Sequence, residues 1–419
     1  MRVAVFGAGI SGRAAAELAR SGGDEVVVFD ERGGVGRDRF EEADLASFDR
    51  FVFSPGFAAR HPWRALVEQS GRPCFGELGY AASQWRGRLY GITGTNGKTT
   101  LTGLLAKALG RLGVDAVAAG NIGEPFSAFV RHPANHEGGV AVCEISSFQA
   151  ELPEGIALDG LVWTNFAEDH LDRYASMAEY FRAKARLFPC LKPDAVCVVG
   201  PQVTDWLNLF EPDSNACSVA YADPALIEGL APDSPFRRFP QSENFSLAAE
   251  FWWLLGYASA PLIESANEYR LAPHRLDVAA EWGGVRYWND SKATNFHAVR
   301  AALDAVERPI YWIGGGQSKG GDLEAFAAEV AGSIDAAFVY GEVGERLGEC
   351  LRRHMDRVAF HPRCEDAIEA ASEAARRSGG GNVLFSPGFS SFDQFSSYSE
   401  RGKCFIHKVL CLKDSARRP

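Results

Sequence analysis

The sequence predicts an α/β protein built as three successive parallel-sheet domains, and three observations carry that expectation. Short apolar runs of β type alternate with amphipathic helical stretches along most of the chain, the pattern of sheets covered on both faces. A glycine-bearing turn joins such a strand to a helix twice, at 7–12 and at 94–100. The alternation also restarts near 88 and near 272, dividing the 419 residues into 1–87, 88–271 and 272–419. A chain of that length splits because a single core stops growing at roughly 250–300 residues. The expected architecture is an N-terminal Rossmann-like domain, a central P-loop-type domain with a mostly parallel sheet, and a C-terminal doubly wound Rossmann-like sheet.

Composition narrows the function classes. A formal net charge of −11 argues against nucleic acid or an anionic membrane as main partner. An anionic substrate therefore has to be held locally, by helix ends, metal ions and single basic side chains. The nine cysteines are scattered without a CxxC pair, which fits reduced thiols better than a disulfide framework or a zinc site. The opening MRVAVFGAG lacks a cationic stretch, an apolar run and a cleavage site, and no run of about 18 apolar residues occurs to span a bilayer. The expected setting is cytoplasmic, with small-molecule partners, no nucleic acid, no membrane and a monomeric chain.

Residues 3–6 read as a buried strand. The turn Gly7-Ala8-Gly9-Ile10-Ser11-Gly12 follows, then a helix over 13–20 and a strand over 25–29 that ends at Asp30. A Gly-x-Gly-x-x-Gly turn with an acid about 20 residues on is the dinucleotide-binding pattern. The same geometry suits any diphosphate attached to a ribose, and a purely structural unit can share it. A redox domain, a non-redox nucleotide-diphosphate domain and a structural unit all stay open. The second is favoured because the segment is short: a strand over 50–53 ends in Ser54-Pro55-Gly56, and the chain starts afresh near 86.

The rest of the chain is arranged around 88–109. A strand over 89–92 runs into Gly94-Thr95-Asn96-Gly97-Lys98-Thr99-Thr100, after which Leu101, Leu104, Leu105 and Leu109 recur on one helical face. Glycines let backbone N–H groups converge on an anion, and the helix N-terminus adds partial positive charge. Lys98 would reach the outer phosphates of a nucleotide, and the Thr99 hydroxyl would ligate Mg²⁺. Strict Walker spacing asks for glycine at 92, where this chain has Ile92, so an ordinary strand-to-helix turn with a solvated lysine is the alternative.

Further along, Gly120-Asn121-Ile122-Gly123 is a loop. The strand 139–143 delivers Glu144, with Ser146-Ser147-Phe148-Gln149 behind it. A carboxylate at the carboxyl end of a buried strand beside a phosphate loop is a metal-ligand position, or else a helix cap. The strand 158–164 delivers NFAEDHLD, in which His170 lies among Glu168, Asp169 and Asp172. Metal binding, proton transfer and an acidic helix start are all open there. Lys184 stands on a helix over 177–188 among Tyr180, Phe181, Ala183 and Leu187, where spacing alone favours a side chain that snorkels to solvent. Residues 213–240 read as a loop-laden excursion, 242–255 as an apolar helix and 261–273 as a linker.

Beyond His274-Arg275-Leu276-Asp277, strands over 285–288, 310–313, 336–340 and 383–385 alternate with helices, again a doubly wound sheet. Its strand-end loops are NDSKATN (289–295), GGGQSKGGD (314–322) and SPGFSSFDQF (386–395). They contain Lys292, Thr294, Lys319 and Ser391, residue types suited to carboxylate or phosphate. Each taken singly can also be a solvated loop residue.

In order along nearly the whole chain, GAGISG, SPG, GTNGKTT, GNIG, EISSFQ, NFAEDHLDRY, the lysine-bearing helix, HRLD, NDSKATN, GGGQSKGGD and SPGFSSFDQF resemble the Mur ligase family. The phosphate loop is shared across that superfamily and with folylpolyglutamate synthetases, whereas GNIG, SSFQ and NDSKATN point to the branch that adds D-glutamate. The resemblance implies an ATP-dependent, amide-bond-forming ligase that adds D-glutamate to UDP-N-acetylmuramoyl-L-alanine through an acyl phosphate, in peptidoglycan precursor synthesis. It implies ATP contacts at Gly94, Thr95, Asn96, Gly97, Lys98, Thr99, Thr100, Asn244, His274, Arg275, Asp290 and Lys292. Ser11, Asp30, Glu31, Arg32 and Gly56 would hold the UDP end, and Asn121, Ser146 and Gln149 the muramoyl-alanyl part. Thr294, Lys319, Ser391 and Tyr398 would hold D-glutamate.

Lys98, Glu144, His170 and Lys184 would be catalytic. Two Mg²⁺ ions are implied, one by Thr99 and Glu144, the other by His170 and Lys184, with Lys184 carbamylated. On these grounds alone the snorkelling reading of Lys184 reverses. The chain departs from the family pattern at Gly388-Phe389-Ser390, where small residues are commoner, and at Gln317-Ser318, where an aspartate is common. The readings set against this one are a Mur-type or folylpolyglutamate-type ligase for another amino acid, an NAD-dependent oxidoreductase built on 7–12, and a nucleotide-switched binding module.

Overall fold

The computed structural model of the chain describes residues 1–210, 217–221 and 223–416, and their strands form three sheets. The first contains β1 (Arg2–Phe6), β2 (Glu25–Phe29), β3 (Arg50–Phe53) and β4 (Cys74–Gly76). Their order is β2-β1-β3-β4, with every pairing parallel.

The second contains β5 (Arg88–Thr93), β6 (Ala116–Gly120), β7 (Val140–Glu144), β8 (Leu158–Trp163), β9 (Leu191–Val199) and β10 (Ser218–Val219). In the order β10-β9-β8-β5-β7-β6, its described pairings are all parallel, where the sequence predicts a mostly parallel sheet.

The third contains β11 (Asp277–Trp282), β12 (Val285–Asn289), β13 (Ile310–Gly315), β14 (Ala336–Tyr340), β15 (Val358–His361) and β16 (Gly381–Gly388). Their order is β11-β12-β16-β13-β14-β15; β11 runs antiparallel to β12 and the other pairings are parallel.

Two compact units result. Met1–Phe166 with Ser176–Tyr269 forms the first and holds two sheets. Ala167–Ala175 with Arg270–Pro419 forms the second, so a short piece from the middle of the chain belongs to the C-terminal body.

Each sheet is anchored by the apolar pattern that predicts it. Leu101, Leu104, Leu105 and Leu109 on the helix Lys98–Arg111 are all buried, packed with Ile92, Val142 and Phe245. Burying one leucine contributes roughly 1.5–3 kcal/mol, so this stripe fixes the helix, and the loop before it, to the sheet. The first sheet has an aromatic core in which Phe6 stacks on Phe53 with ring centroids 4.1 Å apart and meets Phe40 edge-on. The third sheet carries one core around Trp312 and Phe326 and another around Phe338 and Phe385, as a doubly wound sheet requires.

Two sequence expectations change. The predicted linker 261–273 contains most of the helix Ala260–Asn267, with Pro261 in its first turn and Leu262 and Ala266 buried in the central core. Proline at the start of a helix removes a donor that has no partner there, so it begins a helix as readily as a loop. Lys184 is 1% exposed, which ends the snorkelling reading. Within the predicted excursion 213–240, residues 213–216 and 222 lie outside the described residues. The remainder holds β10, the helix Pro224–Glu228 and a helical turn at Pro235–Arg237.

Candidate active site

Residues 94–97 join β5 to the helix Lys98–Arg111, and the glycines there are required by geometry. Gly94 has φ 141°, and a Cβ on it would lie 1.9 Å from Thr164 Oγ1. Gly97, the N-cap, has φ 85°, and its Cβ would lie 2.2 Å from Asn244 Oδ1. The loop is held in place by the end of β8. Asn96 N–H donates to Asn165 Oδ1 at 2.9 Å, Thr95 N–H to Asn165 O at 3.0 Å, and Thr164 Oγ1 to Asn96 O at 2.6 Å. Gly97 has no side chain with which to cap the helix, whose N-terminus adds partial positive charge at the loop.

Two ammonium groups converge on this loop. Lys98 Nζ donates to Gly94 O at 2.9 Å and Thr95 O at 2.8 Å. Lys184 Nζ, from the helix Met177–Ala185, donates to the same Gly94 O at 2.8 Å and lies 5.1 Å from the centroid of the Tyr180 ring. Two cations and a helix N-terminus make a local positive site on a chain that is acidic in sum.

Strand register sets Glu144 beside Ile92 on one side and Gly120 on the other, next to the loop. Glu144 Oε1 accepts from Asn121 Nδ2 at 3.1 Å. Glu144 Oε2 is buried and has no hydrogen-bond partner among the described residues. A buried carboxylate oxygen without a donor is costly, and Mg²⁺ is bound through one or two carboxylates together with phosphate and water. The orphaned Glu144 oxygen therefore fits the first implied ion, and Thr99 stands in the first turn of the helix after the loop. His170 belongs to the second unit, whereas Lys184, which as an ammonium does not ligate a cation, belongs to the first. Among the described residues no group of three or more His, Cys, Asp and Glu is disposed to hold a metal.

Ser146 and Gln149 form a capping box on the short helix Ser147–Ala150, Gln149 Oε1 accepting from Ser146 N–H at 3.0 Å. Gln149 also lines a cleft of about 250 Å³ in the first unit with Ser54, Arg64, Glu77 and Phe148. Burial pushes the Glu77 carboxyl above its usual range, against the pull of Ser127.

In the first sheet the predicted UDP contacts gather at the carboxyl ends of β1, β2 and β3, where the order of neighbouring strands reverses. A Cβ on Gly12 would lie 1.8 Å from Gly7 O, so the helix Ile10–Ser21 approaches β1 only because residue 12 is glycine. A Cβ on Gly9 would meet nothing within 4 Å, which leaves room for a ligand. Asp30 accepts from Ala8 N–H at 2.6 Å and Arg32 N–H at 3.0 Å, and these donors hold its carboxyl below the usual range. Glu31 pairs with His61 at 3.1 Å; Ser11 is half-buried in the first helical turn, and Arg32 and Gly56 are exposed.

In the second unit, His274, Arg275, Asp290 and Lys292 form one cluster. His274 and Leu276 sit at φ 68° and 55°, a left-handed backbone held by His274 N–H to Asp277 Oδ2 at 2.6 Å and Leu276 N–H to Asp290 Oδ1 at 3.1 Å. Lys292 N–H donates to His274 O at 3.0 Å, and Ser386 Oγ to Asp290 Oδ2 at 2.8 Å. Burial pushes Asp290 up to about 7, outweighing Ser386 and Arg275, and it pushes His274 down. Lys292 Nζ stands 4.1 Å from the centroid of Tyr398, so that predicted D-glutamate contact joins this cluster.

Thr294 and Lys319 meet at 3.4 Å, and Lys319 also pairs with Asp169 Oδ1 at 3.2 Å. Burial opposes ionisation of Asp169, but Lys319, His170 and Asn295 outweigh it and hold the carboxyl below its usual range. With Glu168, Gly388 and Phe389 these side chains line a cleft of about 280 Å³, which puts the departing residue Phe389 in its wall. Ser391 is buried in the same loop, which Ser390 and Gln317 tie to the Lys319 loop through paired backbone bonds of 3.0 and 2.9 Å. His170, at φ 57°, stands 3.7 Å from Asp169.

Sequence reasoning gave no role to Thr164, Asn165 or Arg401, and read Asp169 only as one of the acids around His170. The first two follow directly on a buried strand, a signal that could have marked them. Arg401, fully buried, donates to Ser291 Oγ, Ser291 O and Phe389 O, joining the loops 289–295 and 386–395 by contacts that no local spacing reveals.

Comparison with known proteins agrees with this geometry. The model of the Mur ligase middle domain matches residues 92–223, and that of the Mur ligase glutamate ligase domain matches 274–388. The UDP-N-acetylmuramoylalanine–D-glutamate ligase of Gloeobacter violaceus is 33% identical over 98% of this chain and 99% of its own. That of Novosphingobium aromaticivorans is 34% identical over 100% and 96%. The crystal structure of MurF from Acinetobacter baumannii has the same fold, with a TM-score of 0.63 at 15% identity over 89% of this chain and 92% of that one. With both family domains present and likeness to such ligases over nearly its full length, the chain belongs to the Mur ligase family.

Proposed function

We propose that the chain joins D-glutamate to UDP-N-acetylmuramoyl-L-alanine at the expense of ATP, in cytoplasmic peptidoglycan precursor synthesis. The observation that carries the ATP chemistry is the loop 94–100, with two ammonium groups on one carbonyl and the orphaned Glu144 oxygen beside it. The choice of amino acid rests on likeness to ligases of that name. We read the three sheets as the three domains 1–87, 88–271 and 272–419, serving the UDP substrate, ATP and the amino acid in turn.

A free carboxylate does not acylate an amine at neutral pH, because hydroxide is a poor leaving group. Transfer of the γ-phosphoryl group to the alanyl carboxylate makes an acyl phosphate. The D-glutamate amine then attacks its carbonyl carbon, loses a proton, and phosphate departs. Two anions must first meet in line, and Lys98 with the amides of the following helix offsets their charge. Mg²⁺ held by Thr99 and Glu144 would add charge neutralisation on the phosphates. Lys319 and Thr294 would bind a carboxylate of D-glutamate, Asp169 holding Lys319 in its place beforehand.

Carbamylation of Lys184 would remove one of the two cations on Gly94 O and supply an anionic oxygen. Lys184→Ala is then expected to lose activity that short-chain carboxylates partly restore; equal activity with and without them contradicts the modification. The test of the whole reading is phosphate release from ATP and UDP-N-acetylmuramoyl-L-alanine across a panel of amino acids. D-glutamate should be the one that drives it, and release driven by another amino acid alone would reassign the ligase.

A further inference from the structure

We propose that Cys197 and Cys217 form a reversible disulfide site, separate from the ligase chemistry. β9 and β10 run parallel with Ser218 opposite Val198 and Val219 opposite Val199. Continued by one residue, that register brings Cys217, just before β10, opposite Cys197 of β9. Neighbouring strands lie about 4.8 Å apart, inside the roughly 4.4–6.8 Å over which two Cα atoms can be bridged. The two residues are 20 positions apart in the chain, so no CxxC-type spacing announces them.

Their surroundings divide the work. Both are free thiols; Cys197 is buried and Cys217 is half-buried, so an oxidant meets Cys217 first. The neighbouring Cys197 thiol favours thiolate at Cys217, and Cys217 together with burial disfavours it at Cys197. An accessible thiolate beside a protected resolving thiol is the arrangement of redox-responsive pairs. A low-molecular-weight disulfide is the oxidant proposed. The Cys217 thiolate attacks one of its sulfurs, forming a mixed disulfide and expelling one small thiolate. Cys197 then yields its proton to solvent and attacks the Cys217 sulfur, closing the protein disulfide and expelling the second thiolate. Two protein thiols are oxidised and one small disulfide is reduced.

The bond would fix an edge strand that is tied to the nucleotide side of the unit. Ser218 Oγ donates to Glu250 Oε1 at 2.6 Å, on the helix Gln241–Leu254 that carries Asn244 against the phosphate loop.

The full chain is equilibrated in glutathione buffers of rising oxidised fraction, quenched by alkylation and mapped by peptide mass spectrometry, with circular dichroism to follow the fold. A Cys197–Cys217 peptide pair lighter by two hydrogen atoms is expected, reversed by dithiothreitol. Cys197→Ser should accumulate glutathione on Cys217, and Cys217→Ser should leave Cys197 unmodified. A glutathione adduct that stays on Cys217 of the unsubstituted chain, a bridge to another cysteine, or an unreactive Cys217 would each overturn the proposal.

Discussion

Gly12 and Gly9 separate two uses of a missing side chain within one turn. A Cβ at Gly12 collides with Gly7 O at 1.8 Å, whereas one at Gly9 points into open space. Gly12→Ala should therefore destabilise the chain by about 1–3 kcal/mol or more, as overpacking does. Gly9→Ala should leave stability nearly unchanged and weaken binding of the UDP substrate. Urea unfolding and calorimetric titration distinguish the two, and equal destabilisation by both would contradict the geometry. Lys98→Ala should cost about 10²-fold or more in turnover with an unchanged circular dichroism spectrum. Near-normal ligation by that variant would refute the role given to the loop.

Asp290 makes a pH prediction. Folding raises its carboxyl from 3.8 to about 7, so the folded state holds the extra proton between those values. Its contribution to stability is full below about pH 4 and is lost as pH rises through about 7. Asp169, shifted the other way, contributes stability above its ordinary value that is lost at lower pH, and burial of His274 also favours higher pH. Comparing the parent with Asp290→Asn cancels both. From pH 4 to pH 8 the parent should lose a few kcal/mol relative to that variant in urea unfolding, and a flat difference would contradict the shift.

Among elements, the helix Pro62–Gln69 belongs to the first sheet and the helix Ser147–Ala150 to the second, and one buried ion pair ties them together. Arg64, 1% exposed, donates to Glu151 Oε2 at 2.7 Å and to Glu151 O at 3.2 Å. Arg64→Met removes the guanidinium paired with this buried carboxylate and should cost about 3–5 kcal/mol, while Arg64→Met with Glu151→Leu should recover part of it. A loss below about 1 kcal/mol in the single variant would show the pair to be incidental.

Elements were legible where pattern and position agreed. β1, β5, β7 and β8 are central strands made of apolar runs, and each ends in a recognisable turn. β6 reads AVAAG, β9 opens with LKPD, β10 has two residues, and β4, β11 and β15 lie at sheet edges, so none carries a strong signal of its own. Candidates that follow a motif by fixed spacing, such as Lys98 and Glu144, could be named from the sequence. The pairing of Asp169 with Lys319, 150 positions away, could not, because it depends on which unit claims residues 167–175.

At the scale of the molecule, each sheet presents its candidate ligand residues at strand carboxyl ends: Ser11 and Asp30 in the first, Lys98 and Glu144 in the second, Asp290 and Lys319 in the third. Parallel sheets direct their helix N-termini and loops to that edge, which is why one architecture can serve three anionic substrates. The account requires the alanyl carboxylate to be phosphorylated before the amine arrives. Labelling that carboxylate with ¹⁸O tests this requirement most directly. If an acyl phosphate forms, inorganic phosphate released in the presence of D-glutamate carries one labelled oxygen from the carboxylate; phosphate released without label while the amide bond forms would contradict it.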